Sequence, residues 1–165
     1  MTPRPMHRQD RQLPQEEAWA LLTQGTYGVL SVVGDEGWPY AVPMHYTVMD
    51  GQIYLHCAKT GYKLDAIARD DRVCFTVTLW EELVQDHATS LYESVVVLGR
   101  AALVTDQATH QAALAHLVDA LGRVSPDLRD QYIARRGQNT AVLVIRPIHL
   151  TGKAKRDFRP IQQRM

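Results

Sequence analysis

The sequence predicts a mainly β fold with α-helices attached, built as a closed or nearly closed antiparallel barrel of six strands. Three observations carry this. There are six strand-like runs, at 27–33, 38–49, 52–57, 72–80, 92–104 and 140–150. Most are joined by turn signals or polar stretches, with few helices between them, so the βαβ alternation of a parallel sheet is missing. Several are apolar on both faces and one carries an internal glycine, as strands do when they curl into a barrel.

Taken in order, Pro14 followed by Gln15, Glu16 and Glu17 reads as a helix start, with proline and acids in the first turn. Trp19, Leu22 and Ala18 supply its apolar side, and Gly25 stops it. YGVLSVV at 27–33 is apolar on both faces and is expected to be a buried strand, with a turn at 34–37. In 38–49, Pro39 and Pro43 each remove a ladder donor, which puts part of that strand at an edge or rim. Asp50-Gly51 is a hairpin signal returning the chain along QIYLHC, where Ile53, Leu55 and Cys57 face one way and Tyr54 and His56 the other. A helix is expected from about Tyr62 to Asp70. The next strand alternates Val73, Phe75, Val77 and Leu79 against Cys74, Thr76 and Thr78, and the polar stretch 81–91 reads as a loop. Gly99 suggests a bulge or bend in the long strand 92–104. Asp106 caps a helix with the stripe Leu114, Leu117, Val118 and Leu121, ended by Gly122. Ser125-Pro126 opens another, closed by Gly137, and TAVLVIRPIHL is the last strand.

With 165 residues, 45% of them hydrophobic and 22% charged, the chain is expected to be one soluble domain with a core of its own. Residues 1–12 read as a mobile N-terminal arm, 13–155 as the domain, and 156–165 as a basic C-terminal tail. No apolar run approaches the roughly 18 residues of a membrane span, and the N-terminus is too polar for a secretory signal. A net charge of zero leaves no strong nucleic-acid footprint. Cys57 and Cys74 lie in apolar strands without CxxC or zinc spacing, so buried free thiols in a reducing, cytoplasmic setting are expected and no metal site is.

The stretch YLHCAKTGYKLDAIARD runs from a strand through a short turn into a helix, and it sets two cations, Lys59 and Lys63, at the helix's positive end. A bound phosphate would reverse that mismatch, accepting from the first-turn N–H groups and pairing with both ammonium groups, while Gly61 lets the backbone approach. From the fragment alone, two solvated lysines on a polar turn are a slightly preferred account. His56 is either a satisfied, half-buried strand histidine or a group that meets a cofactor, substrate or haem iron. His45, on the neighbouring hairpin strand, is a second candidate, and the pair makes a weak metal signal.

Read together, the pieces resemble the flavin-binding split-barrel proteins related to pyridoxamine phosphate oxidase, and within them the nitroimidazole-resistance type. The motifs are Gly28-Val29-Leu30, Pro39-Tyr40, Val42-Pro43, His56-x-Ala58-x-x-Gly61-x-Lys63, Tyr92-x-Ser94-Val95 with Gly99-Arg100, and Thr151-Gly152-Lys153. Each is weak alone; their order across residues 8–155 carries the likeness.

The resemblance implies a homodimer of six-stranded split β-barrels flanked by helices, with FMN held in clefts between subunits. It puts the FMN phosphate against Lys59, Lys63 and the helix start at Gly61, with Ala58 in the same motif. Val42, Pro43, Met44, His45 and Tyr46 would run along the isoalloxazine ring, and Ser94 and Tyr92 would approach it, in one version from the partner subunit. Lys153 is a weaker phosphate candidate, and His56 falls near the cleft as the candidate catalytic residue. The implied activity is reduction of a nitroaromatic or other small aromatic substrate with a reduced nicotinamide donor. The alternatives are a haem-handling protein with His56 or His45 on the iron, and a non-catalytic flavin-binding module.

Overall fold

The computed structural model describes residues 4–85, 87–122 and 124–157. The ends of the expected arm and tail, residues 1–3 and 158–165, lie outside the described residues. The strands are β1 (Tyr27–Val33), β2 (Pro39–Met49), β3 (Gln52–Ala58), β4 (Arg72–Val84), β5 (Thr89–Leu103) and β6 (Thr140–Lys155). They close into an antiparallel barrel in the order β1-β2-β3-β6-β5-β4. Among the described residues four α-helices accompany them: α1 (Gln15–Gln24), α2 (Tyr62–Arg69), α3 (Gln107–Leu121) and α4 (Pro126–Arg136). Among the described residues, no helix is long and apolar enough to cross a membrane.

Local chemistry accounts for the elements. Asp50 and Gly51 both take positive φ, the conformation a two-residue hairpin turn requires, and Met49 pairs with Gln52 across it. The Asp106 carboxylate accepts from Thr109 N at 2.7 Å to start α3, and the Ser125 hydroxyl accepts from Leu128 N at 3.4 Å to start α4.

Period-2 alternation sorts the side chains into two cores. Leu30, Tyr46, Ile53, Leu55, Phe75, Val77, Val95, Val97 and Ile145 fill the barrel, joined by Ala18, Leu21 and Leu22 of α1. On the outer face of β3 and β6, Tyr54, Val142 and Val144 pack under Ala113, Leu114 and Leu117 of α3. This second cluster is why β3 is apolar on both faces: Leu55 points into the barrel and Tyr54 under a helix.

Three expectations are corrected. The polar stretch 81–91 is not a loop: β4 runs to Val84 and β5 begins at Thr89, with Glu82 opposite Leu91 and Val84 opposite Thr89. A backbone ladder holds a ribbon whose side chains are mostly open to solvent, so the hydrophobic pattern that marks other strands is absent there. The last strand continues to Lys155 because Thr151, Gly152 and Lys153 pair with Val96, Val95 and Ser94. Finally, β1 is buried on one face alone, since Tyr27 is 53% and Val29 36% exposed.

Gly99 does lie at an irregularity, where the register between β5 and β6 shifts after Leu98. A Cβ added there would stand 2.6 Å from the Arg146 carbonyl oxygen and 2.9 Å from Ile145 Cγ2. Backbone cannot step aside as a flexible side-chain tip can. Gly99→Ala is therefore expected to cost about 2 kcal/mol, read as a shift of the urea midpoint. An unshifted midpoint would mean that the strands can part locally without loss.

Candidate functional site: the gap between β2 and β3

The two strands of the β2–β3 hairpin pair only near the turn. Their ladder runs from Met49↔Gln52 to Tyr46↔Leu55 and goes no further. Beyond it, Tyr27 through Val33 of β1 hold His45 through Pro39 of β2 on one side, and Val142 through Thr140 of β6 hold His56 through Ala58 of β3. The barrel is split at this point. Pro43 sits in the parted half of β2, where a missing N–H costs no bond to β3.

A 580 Å³ cavity occupies the split, lined by Val42, Pro43, Met44 and His45 of β2, His56, Cys57 and Ala58 of β3, and Lys63 of α2. Seven of the expected site residues thus meet in one place. Tyr27, Cys57, Asn139 and Thr140 complete the lining, although no motif assigned them a role. Asn139 and Thr140 arrive through the pairing of Ala58 with Thr140, a register that no local pattern around residue 140 announces.

Gly61 caps α2 with φ 135° and leaves the first-turn N–H groups without a side-chain acceptor. Space around it is open, so glycine is required here by conformation rather than by crowding. Tyr62, next in line, fixes the helix start by accepting from Asp35 N at 2.6 Å, and Arg69 pairs with Asp35 at 2.5 Å. Lys63 lines the split cavity, whereas Lys59 lines a neighbouring 780 Å³ cavity beside Thr105, Gln107 and His110. The two cavities share Asn139 and Thr140 in their walls, so the lysines line adjoining recesses.

The remaining expected residues lie elsewhere. Tyr46 is fully buried; its ring stands 5.0 Å from Phe75, its hydroxyl donates to the Leu22 carbonyl at 2.6 Å, and burial pushes its phenol up. Tyr46 does not line the split cavity and stands at the last paired position of the hairpin, opposite Leu55. Tyr92, Ser94 and Lys153 gather on β5 and β6: Ser94 pairs with Lys153, and Lys153 Nζ lies 5.5 Å from the Tyr92 ring centroid. Arg11 donates to the Tyr92 hydroxyl at 3.1 Å. Burial pushes the Tyr92 phenol up, but the hydrogen bonds and charges of Arg11 and Lys153 more than offset it and leave it lowered. None of these three residues lines the split cavity of its own chain.

The two histidines differ. His45 Nδ1 donates to the Thr26 carbonyl at 3.2 Å, and its ring leans on Tyr27 at 4.7 Å. His56 Nδ1 is sealed from solvent with no hydrogen-bond partner. Burial, assisted by the nearby His45, lowers the His56 pKa from its ordinary 6.5. A depressed folded-state value means the unfolded chain binds the proton first, so stability present above pH 6.5 is lost as pH falls through the folded value. His56→Gln removes that component. Its melting temperature is expected to drop less than the wild type's between pH 7 and pH 5, and equal drops would place the acid sensitivity elsewhere. Burial likewise raises the Cys57 thiol, partly countered by Lys63. Among the described residues, no group of three or more His, Cys, Asp or Glu is placed to hold a metal ion.

A sequence profile of pyridoxamine 5'-phosphate oxidase matches residues 14–154. The chain belongs to the pyridoxamine 5'-phosphate oxidase family. No curated protein matches the chain. Members of this fold among solved structures include a candidate 5-nitroimidazole antibiotic resistance protein of Bacteroides thetaiotaomicron, at 22% identity and a TM-score of 0.70 over 87% of this chain and 86% of that one. An FAD-binding protein of Mesorhizobium loti superposes with a TM-score of 0.65 at 23% identity, over 88% and 97% of the two chains. An FAD- and haem-binding protein of Mycobacterium smegmatis does so with 0.71 at 18%, over 90% and 75%. At these identities the likeness speaks for the fold.

Proposed function

We propose that this member of the pyridoxamine 5'-phosphate oxidase family is a flavin-binding oxidoreductase, with the flavin seated in the split between β2 and β3. The observation that carries this is the parting of the hairpin beside Lys63: two strand edges, at 42–45 and 56–58, stop pairing with each other next to a helix start that bears a lysine. The residues fit the group. The edge of Val42–His45 turned away from β1, which has no ladder to β3, can meet the polar edge of an isoalloxazine ring, and Lys63 with the α2 N–H groups can hold its phosphate. FMN is the form expected from the resemblance. The related proteins of M. loti and M. smegmatis bind FAD, which supports a flavin and makes FAD the form to test beside it.

In this reading a homodimer completes the cleft, with Tyr92, Ser94 and Lys153 of one subunit facing the split of the other. The exposed Tyr27 and Val29 on β1 are apolar surface of the kind such an interface covers. The chemistry a bound flavin supplies is acceptance of hydride from a reduced nicotinamide and its delivery to a nitroaromatic or other small aromatic substrate. A cytoplasmic setting, where reduced nicotinamides are supplied and free thiols stay reduced, accompanies it.

A second reading has one observation behind it. The unpartnered His56 Nδ1 beside an apolar cavity suits haem, which the M. smegmatis relative binds together with FAD. Visible spectra of the purified protein, before and after separate additions of FMN, FAD and haemin, decide between them. A bound-flavin spectrum bleached by NADH or NADPH is the expected result. A haem band without flavin uptake would replace the first reading by the second, and flavin uptake without bleaching would leave a flavin carrier.

A further inference from the structure

A flavin ring and one phosphate account for the split, and they leave the adjoining 780 Å³ cavity unexplained. This recess lies among the segment joining β5 to α3, the first turns of α3, and the junction of α4 with β6. Lys59, one residue past the end of β3, also lines it, and Asn139 and Thr140 belong to the walls of both cavities. The volume suits a sizeable organic group, and a single phosphate would leave most of it empty.

The lining has a consistent chemistry. Gln107, Gln111, Gln138 and Asn139 supply four carboxamides, each able to donate and to accept. His110 Nε2 donates to the Thr140 carbonyl at 2.8 Å, which in the neutral ring leaves Nδ1 an acceptor. Lys59 is the one Lys, Arg, Asp or Glu among the described lining residues. Asp106, just before Gln107, is engaged in capping α3 through Thr109 N at 2.7 Å. Leu103, at the end of β5, is 50% exposed and shares the wall with the partly buried Ile133, giving an apolar ledge. A nucleotide uses all three kinds of group. Its phosphate pairs with the cation, its ribose and base edge with the carboxamides, and its base face with the ledge. An acyl chain would strand the carboxamides, and a sugar without phosphate would leave Lys59 unused.

The placement of the lysines ties this recess to the split. Lys59 and Lys63 stand two residues to either side of Gly61, whose φ of 135° turns the chain into α2, and they line different cavities. One phosphate at the start of α2 has no use for both. Two phosphates in a pyrophosphate have: the first meets Lys63 and the helix N–H groups, and the second meets Lys59. A merely solvated groove would instead make no distinction between a mononucleotide and a dinucleotide.

We propose that the recess binds the adenosine monophosphate half of FAD, so that this protein takes its flavin as the dinucleotide in preference to FMN. The inference deepens the oxidoreductase reading and rests on it. Lys59 pairs with the second phosphate, the carboxamides of α3 and of the α4–β6 junction meet the ribose and the purine edge, and Leu103 with Ile133 takes the purine face. The adenosine half of a nicotinamide donor has the same chemistry. The flavin's own half is favoured because a single pyrophosphate spans the two lysines across Gly61.

Equilibrium dialysis of the full chain against FAD, FMN and NADH in separate runs tests this, with Gln111→Trp and Lys59→Gln as variants. Gln111 is exposed on α3, so a tryptophan there fills the recess without entering the core. The wild type is expected to bind FAD at least ~10-fold more tightly than FMN. Each variant is expected to weaken FAD by ~10-fold or more, to change FMN far less, and to keep the wild-type melting transition. Equal wild-type affinities for the two flavins, or a preference for FAD that both folded variants keep, would overturn the recess and leave the flavin site in the split standing. A wild type that takes up neither flavin would overturn the inference and the oxidoreductase reading together. NADH binding lost in both variants, with the ratio of the flavin affinities unmoved, would overturn the FAD assignment in favour of the nicotinamide donor.

Discussion

Lys63→Glu is expected to abolish flavin retention and leave the fold intact. Lys63 lines the split cavity in the first turn of α2, where the helix dipole already attracts an anion. Losing a charge-assisted contact to phosphate and adding a repelling carboxylate should together weaken binding by about 3 kcal/mol, or roughly 100-fold. The same change suits the flavin-free protein, because an acid in the first turn of a helix is favourable by a few tenths of a kcal/mol. The two effects therefore have opposite signs. Equilibrium dialysis with FMN and FAD should show the loss, and a thermal scan of the flavin-free protein should show an unchanged or slightly raised midpoint. Unchanged flavin affinity would remove Lys63 from the phosphate site and leave Lys59, in the adjoining recess, as the next candidate.

The largest loss of stability is expected from Phe75→Ala. Phe75 is fully buried in the barrel, edge-on to Tyr46 at 5.0 Å, and its ring approaches the position of a Cβ at Gly28. Removing it leaves a cavity walled by opposing strands that cannot collapse independently, a loss of about 4 kcal/mol. That is a large fraction of a typical domain's total stability. Tyr46→Phe provides a graded comparison. It keeps the ring and removes only the hydroxyl that serves the Leu22 carbonyl, one of the last acceptors of α1, at about 1 kcal/mol. Urea unfolding of both variants measures the ratio. Similar losses would mean that the hydrogen bond, rather than ring packing, dominates this corner of the core.

Most of the framework was legible because its signals are local. Pro14 and Gly25 bracket α1, Asp50-Gly51 turns β2 into β3, Asp106 and Ser125 cap α3 and α4, and period-2 alternation separates Phe75 and Val77 from Thr76 and Thr78. The ribbon at 81–91 was not legible, since its strands are held by backbone bonds and their mostly exposed side chains carry no apolar alternation. Half of the candidate site was legible too. Val42–His45, His56, Ala58 and Lys63 lie within 22 residues of one another and form one motif-bearing stretch.

The sequence by itself determined the strand and helix inventory, the family likeness, and the residues able to meet a phosphate and a ring. These depend on spacing along the chain, which turns, caps and alternation transmit over a few residues. Only the tertiary structure decided where the barrel opens, because that depends on β2 ceasing to pair with β3 beyond Tyr46 while β1 and β6 continue to hold the two strands apart. It also separated Lys59 from Lys63, turned the Tyr46 side chain into the core, gathered Tyr92, Ser94 and Lys153 away from the split, and brought Asn139 and Thr140 to it. Strand register joins residues some 80 positions apart, such as Ala58 and Thr140, and it is set by closure of the whole barrel rather than by any segment of it.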